Sequence, residues 1–201
     1  MFSDIEFNNL KKKYGSFASW AIWDYKNQSD TSIIDKNKSI LHSKFVLLAL
    51  NFSLDTNIIS WRDWSNFHYG PSNVRKLKYA CNNSFLKGSY MTDLFKNMVE
   101  KNSGKVGSLL NENIIKKNIE IFNEEMKNIK INKNSKFIIW GVPSSNIASY
   151  FNKYFRQNYS NPIIYHTHYS YYGISDREWV TSLWKKLNII QDFDETIKKY
   201  R

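Results

Sequence analysis

Apolar residues in this chain come in two alternating rhythms. KFVLLALN (44–51) is an unbroken apolar run of strand length. SNVRKLKYACNNSF (72–85) follows, with Val74, Leu77 and Ala80–Cys81 at helical spacing. KGSYMTDLF (87–95) is a second strand segment, and ENIIKKNIEIFNEEMKNI (112–129) repeats apolar residues at 114, 115, 119, 122, 126 and 129, an amphipathic helix. KFIIWG (136–141) and SSNIASYFNKYFRQ (144–157) form the next pair, with Ser144 or Ser145 as N-cap. PIIYHTH (162–168) and REWVTSLWKKL (177–187) form the last. Unbroken apolar strands alternating with helices demand a sheet covered on both faces. The expected fold is α/β, a three-layer α/β/α sandwich with a central, mainly parallel sheet of about four strands.

With 201 residues the chain suits one domain, 1–201, in which 41–201 form the core and 1–40 an N-terminal elaboration. DIEFNNLKKKY (4–14) reads as a short helix that Gly15 stops, and SFASWAIWDY (16–25) as a strand or a buried connector. NQSDTSIIDKNKS (27–39) is turn-rich and reads as loop. A domain of this size buries roughly 70% of its unfolded surface and needs no disulfide or metal staple. The single Cys81 excludes an internal disulfide and an iron–sulfur cluster. No signal segment opens the sequence and no apolar run approaches a membrane span, so a cytoplasmic protein without a membrane partner is expected.

The net charge of +11 admits a nucleic-acid partner, because clustered cations release counterions from phosphate. Yet 24 of the 29 basic residues are Lys, and Asn is as numerous as Lys, so the charge also fits a plain Lys/Asn-rich composition. Arg would match phosphate better with its planar fork. The aromatic content of 16% is more informative, since rings are costly to leave wet and stack well on bases.

In open parallel sheets, ligands bind outside the carboxyl ends of the strands. Those ends carry Asn51-Phe52-Ser53, Thr92-Asp93, Trp140-Gly141 and His166-Thr167-His168-Tyr169-Ser170. Donors, acceptors and one acid therefore converge on one rim. His166 and His168, two apart, share a face if the strand includes both. His42 and His68 are remote and no HExxH or Cys pair completes a ligand set, so neither metal nor cofactor is expected. GVPSSN (141–146) turns from strand into helix, where free N–H groups can hold a phosphate, although no P-loop pattern is present.

LLALNFS (47–53), GSYMTDLFK (88–96) and HTHYS (166–170), in this order at strand ends, resemble the motifs of the uracil-DNA glycosylase superfamily. The resemblance spans about residues 44–173. It implies that the Asn51 amide orients the attacking water and that Asp93 stands near the base-reading position. It further implies that His168 donates to a carbonyl of the leaving base and that Ser170 touches phosphate. Phe67 becomes a ring for stacking the extruded base, beside Phe52, Ser53 and Gly141 in the substrate pocket. Ser144, Ser145, Tyr169, Tyr171 and Tyr172 then contact DNA. Three positions depart from the family pattern: Phe52 replaces a Pro, Asp93 an uncharged Asn, and Tyr169 a Pro. The expectation is a metal-independent hydrolase of the N-glycosidic bond in DNA. Its alternatives are a non-catalytic nucleic-acid-binding module of the same fold and an enzyme on free nucleosides or nucleotides.

Overall fold

The computed structural model describes residues 2–52, 63–68, 74–99, 109, 111–141 and 154–200, with backbone alone at 51–52 and 97–99. Helix α1 (Asp4–Tyr14) begins with a reciprocal cap. The Ser3 hydroxyl accepts from the Glu6 N–H, and the Glu6 carboxylate accepts from the Ser3 N–H. Strand β1 (Ala18–Trp20) follows, then helix α2 (Ser32–Lys36) and a 3₁₀ turn (Lys38–Ile40). Strands β2 (His42–Phe52) and β3 (Ser89–Val99) flank helix α3 (Val74–Asn82). Helix α4 (Glu112–Asn128), strands β4 (Lys136–Trp140) and β5 (Ile163–His166), and helices α5 (Asp176–Leu187) and α6 (Phe193–Lys198) complete the order.

The sheet runs β1-β3-β2-β4-β5, all neighbours parallel except the antiparallel β1–β3 pair. It has five strands where about four were expected. The added strand is β1, three wholly buried residues too short to display a period of two. It covers the outer edge of β3, one standard protection for an exposed edge. Strand β3 also outruns the expected end at residue 95, because β2 continues beside it and Phe52 pairs with Val99 across a register shift. Asp93 consequently lies within a strand rather than at its tip. In the stretch read as loop, Ile34 is fully buried and draws α2 onto the core. The helix expected at 144–157 lies outside the described residues up to 153, and 154–158 are helical.

Strand alternation divides the core in two. Val46, Leu48, Tyr90, Phe137 and Ile139 face one side, where they meet Phe7, Leu10 and Tyr14 of α1, Phe122 and Met126 of α4, and Phe155. Leu47, Ala49, Met91, Ile138 and Trp140 face the other, where Leu77 and Cys81 of α3 and Trp179, Leu183 and Trp184 of α5 cover them. Helices thus pack on both faces of a five-stranded, mostly parallel sheet. Among the described residues no helix is long and apolar enough to cross a membrane.

Candidate functional site

Parallel pairing brings the carboxyl ends of β4 and β5 level with Ala49 of β2 and Asp93 of β3, beyond which β2 and β3 continue. Register places Asp93 beside Ala49, and Trp140 beside His166, one step along the same edge from the Leu48–Ile139 pair. These residues belong to the face covered by α3 and α5. Ala49 contributes only a methyl group between Asp93 and Trp140.

Asp93 is 2% exposed. Its Oδ2 accepts from Asn66 Nδ2 at 2.8 Å, and no other hydrogen bond reaches the carboxyl among the described residues. Asn66 has no freedom to turn. Its Nδ2 also donates to Phe17 O at 2.6 Å, while its Oδ1 accepts from the Phe67 N–H at 3.0 Å. Burial pushes the Asp93 carboxyl up to about 7; the Asn66 bond and the Lys96 charge hold it down, and Glu125 adds to the rise. A buried acid shifted toward neutrality is one mark of a functional position.

His168 stands beyond the end of β5, its ring stacked on Tyr169 with centroids 4.5 Å apart. The Ser170 N–H donates to Nδ1 at 3.2 Å, and the Ser170 hydroxyl lies 2.6 Å from the same nitrogen. A backbone N–H can only donate, so Nδ1 is the acceptor and the ring proton sits on Nε2. Burial holds the imidazole down at about 4, so it is neutral at physiological pH. The result is a neutral N–H donor in a fixed orientation. Tyr169 packs edge-on against Phe67 at 6.4 Å, and burial together with the nearby Asp93 carboxylate raises its phenol well above the ordinary range. Asp93, Phe67, Tyr169, His168 and Ser170 thereby form one continuous cluster.

His166 does not join it. Strand β5 ends at this residue, so the alternation never reaches His168 and the two rings part. His166 packs between Trp140 and Trp179, and its Nε2 donates to Trp179 O at 3.0 Å. His68 is buried against Trp23 with Gln28 O and Trp20 O beside its two nitrogens. Burial depresses both imidazoles to about 4, and both serve the core. Among the described residues no three His, Cys, Asp or Glu side chains gather where a metal would bind.

The remaining sequence candidates fall into three groups. Phe67 is 4% exposed with a left-handed backbone at φ 65, so its ring supports Tyr169 and offers little open face. Gly141 N–H donates to His166 O at 2.8 Å and closes the β4–β5 ladder at the rim. Tyr171 and Tyr172 are exposed, the latter at 81%, on the turn that leaves the cluster. A Cβ on Gly173 would stand 2.6 Å from the Tyr171 hydroxyl, so only glycine lets that ring fold back. Asn51 and Phe52 are placed by backbone alone, on the same edge, with Asn51 opposite Phe95. Ser53, Ser144 and Ser145 lie outside the described residues.

Sequence reasoning missed Asn66, which fixes Asp93, and Lys76, which fixes the tyrosine turn. The Lys76 ammonium, 3% exposed at residue level, donates to Tyr171 O at 2.8 Å and to Ile174 O at 3.0 Å. It also missed Lys96 and Glu125, a buried pair 2.6 Å apart behind the sheet. The available signal was a charged residue inside an apolar strand or on an apolar helix stripe. Neither a protein-family model, nor a curated protein, nor a solved structure matches the chain.

Proposed function

We propose that this chain is a glycosylase-like hydrolase, a three-layer α/β/α protein that cleaves the N-glycosidic bond of an aberrant base in DNA. The observation that supports it most is the His168–Ser170 arrangement: a neutral imidazole whose single proton is held on Nε2, next to a buried acid at the carboxyl edge of a parallel sheet. Glycosidic cleavage places negative charge on a carbonyl of the departing base. A preorganised N–H donor in a water-poor site lowers that barrier, and removing one such donor typically costs about 10²–10³ in rate.

In this reading the target nucleotide leaves the base stack, because a stacked base hides its glycosidic bond. Asp93 reads the base edge while His168 donates to the carbonyl. The C1′–N bond breaks, the electron pair stays with the base, and a water oriented by Asn51 adds to C1′. The proton that this water loses is taken up by the departing base anion, so the products are the neutral base and the abasic sugar. Tyr169 supports the imidazole from one face, Tyr171 and Tyr172 engage DNA, and the Lys-rich surface holds phosphates in the cytoplasm without metal or cofactor.

Base release from DNAs carrying uracil, hypoxanthine, xanthine or alkylated bases, followed by mass spectrometry, tests the reading. The expected result is release of one base, reduced at least about 100-fold in His168→Ala and in Asn51→Ala, with unchanged circular dichroism. Phe52 in place of the family's Pro favours a second reading, a DNA-binding module without chemistry. Salt-sensitive DNA binding with no base released across the panel would replace the first reading by the second.

A further inference from the structure

The two oxygens of Asp93 are not equivalent. Oδ2 faces Asn66 Nδ2 at 2.8 Å, and Asn66 is locked in that orientation by the Phe17 carbonyl and the Phe67 N–H. An N–H donor on Oδ2 keeps that oxygen an acceptor, so a proton on the carboxyl belongs on Oδ1. Oδ1 accepts no hydrogen bond among the described residues, although the residue is 2% exposed.

Among the described residues no charged side chain pairs with this carboxyl. Lys96 lies on the same strand, but its ammonium is engaged with Glu125 of α4 and with the backbone oxygen of Asp93, behind the sheet. From the rim, the Tyr169 phenol is held above its ordinary range and stays protonated. His168 on the same turn and His68 on the loop that carries Asn66 are both neutral above about pH 5. Of these described groups, Asp93 is the one that changes form near neutrality.

We infer that Asp93 is a proton-gated reader of the base edge: protonated, Oδ1–H donates to a carbonyl oxygen; ionised, Oδ1 accepts from an exocyclic amine. This rests on the reading of the rim as a base site. Together with the constant donor His168 Nε2–H, the protonated form matches a base with two carbonyls, as in uracil. The ionised form matches a carbonyl opposite an amine, as in cytosine. One site thereby selects different pyrimidines on either side of neutrality, with no movement of the backbone.

The test is equilibrium binding of single-stranded oligonucleotides at fixed salt, each with one central 2′-fluoro-deoxyuridine, 2′-fluoro-deoxycytidine or abasic analogue, at pH 6 and pH 8. The expected result is a preference for uracil over cytosine at pH 6 that falls by about tenfold or inverts at pH 8. Asp93→Asn, whose amide keeps a donor where Oδ1–H stood, retains the pH 6 preference at both values. The 13C resonance of the Asp93 carboxyl titrates with a midpoint near 7 in the DNA-free protein. The same base preference at both pH values would overturn the gate and leave the base site standing. Equal binding of all three oligonucleotides at both values would overturn the gate and the base site together.

Discussion

On one face of the sheet Glu125 is wholly buried and accepts from Tyr90 at 2.7 Å and Thr92 at 2.8 Å, with the Lys96 ammonium 2.6 Å away. On the other face Asp93 is buried almost as deeply and accepts from one amide. Lys96 is itself saturated, donating to Thr92 Oγ1 and Asp93 O while lying over the Phe17 and Phe122 rings at 5.2 and 5.4 Å. Its backbone N–H donates to Asn118 Oδ1 at 2.8 Å. The first acid belongs to a closed circuit of charges: carboxylate and ammonium are paired inside the protein, while Oε1 takes both hydroxyls and Oε2 meets Lys96 as a charge without a hydrogen bond. The second keeps an oxygen in reserve. Burial alone therefore does not set the state of an acid: the first is paired with a buried ammonium, the second with a neutral amide.

Breaking the closed circuit has the largest expected effect. Lys96→Met strands the Glu125 carboxylate in the core, and unfolding in urea is expected to register a loss of about 3–5 kcal/mol. Lys96→Met with Glu125→Gln removes both charges and is expected to recover much of that loss. If the single variant is as stable as wild type, the pair is not the closed unit described.

The opposite outcome is expected across the sheet. Asp93 binds its proton more tightly in the folded chain, near pH 7, than its ordinary value of 3.8 allows. The native state thus holds the extra proton between those values, and stability is lost as pH rises through them. Asp93→Asn removes that penalty, so at pH 8 the variant is expected to exceed wild type by up to about 4 kcal/mol, and to match it near pH 4. Denaturant midpoints at the two pH values measure this. A variant less stable than wild type at pH 8 would mean that the carboxylate has a partner and belongs with Glu125.

The smallest effect belongs to the rim turn. Tyr172→Ala removes an exposed ring from a backbone that Lys76 already clamps, so stability is expected to change by no more than about 0.5 kcal/mol. On the proposed reading, in which this ring stacks on a base, the same variant is expected to lose about 1–3 kcal/mol of single-strand affinity in a binding titration. A large stability loss with unchanged affinity would assign that ring to the fold.

Much of the scaffold was legible because its signals are local. The runs at 136–141 and 162–168 each contain an observed strand, those at 44–51 and 87–95 each overlap a longer one, and the apolar stripe of 112–129 matches α4 to within a residue. Strand β1 was ambiguous because three buried residues exhibit no alternation, and its partner lies far along the chain. Asn51, Trp140 and His166 fall at or next to strand ends as read, whereas Asp93 lies inside β3, which no local signal showed to run past residue 95. Which of two neighbouring histidines faces the core was not legible, since that turns on the one residue where β5 ends. Asn66 was unreadable for a different reason. Nothing within WSNF marks its amide for a carboxyl on a strand that comes 27 residues later. Lys96 and Glu125 each look like a misplaced charge until the fold brings them together.

Strand β1 also has its partner far along the chain. Ala18 must find Thr92, and Trp20 must find Tyr90, so the earliest strand in the chain has no partner until β3 exists. Without β1 the outer edge of β3 is an open template for any extended segment, including the same edge of another folding molecule. Whenever the three residues of β1 are not paired, that edge of β3 is open to association with other copies of the chain.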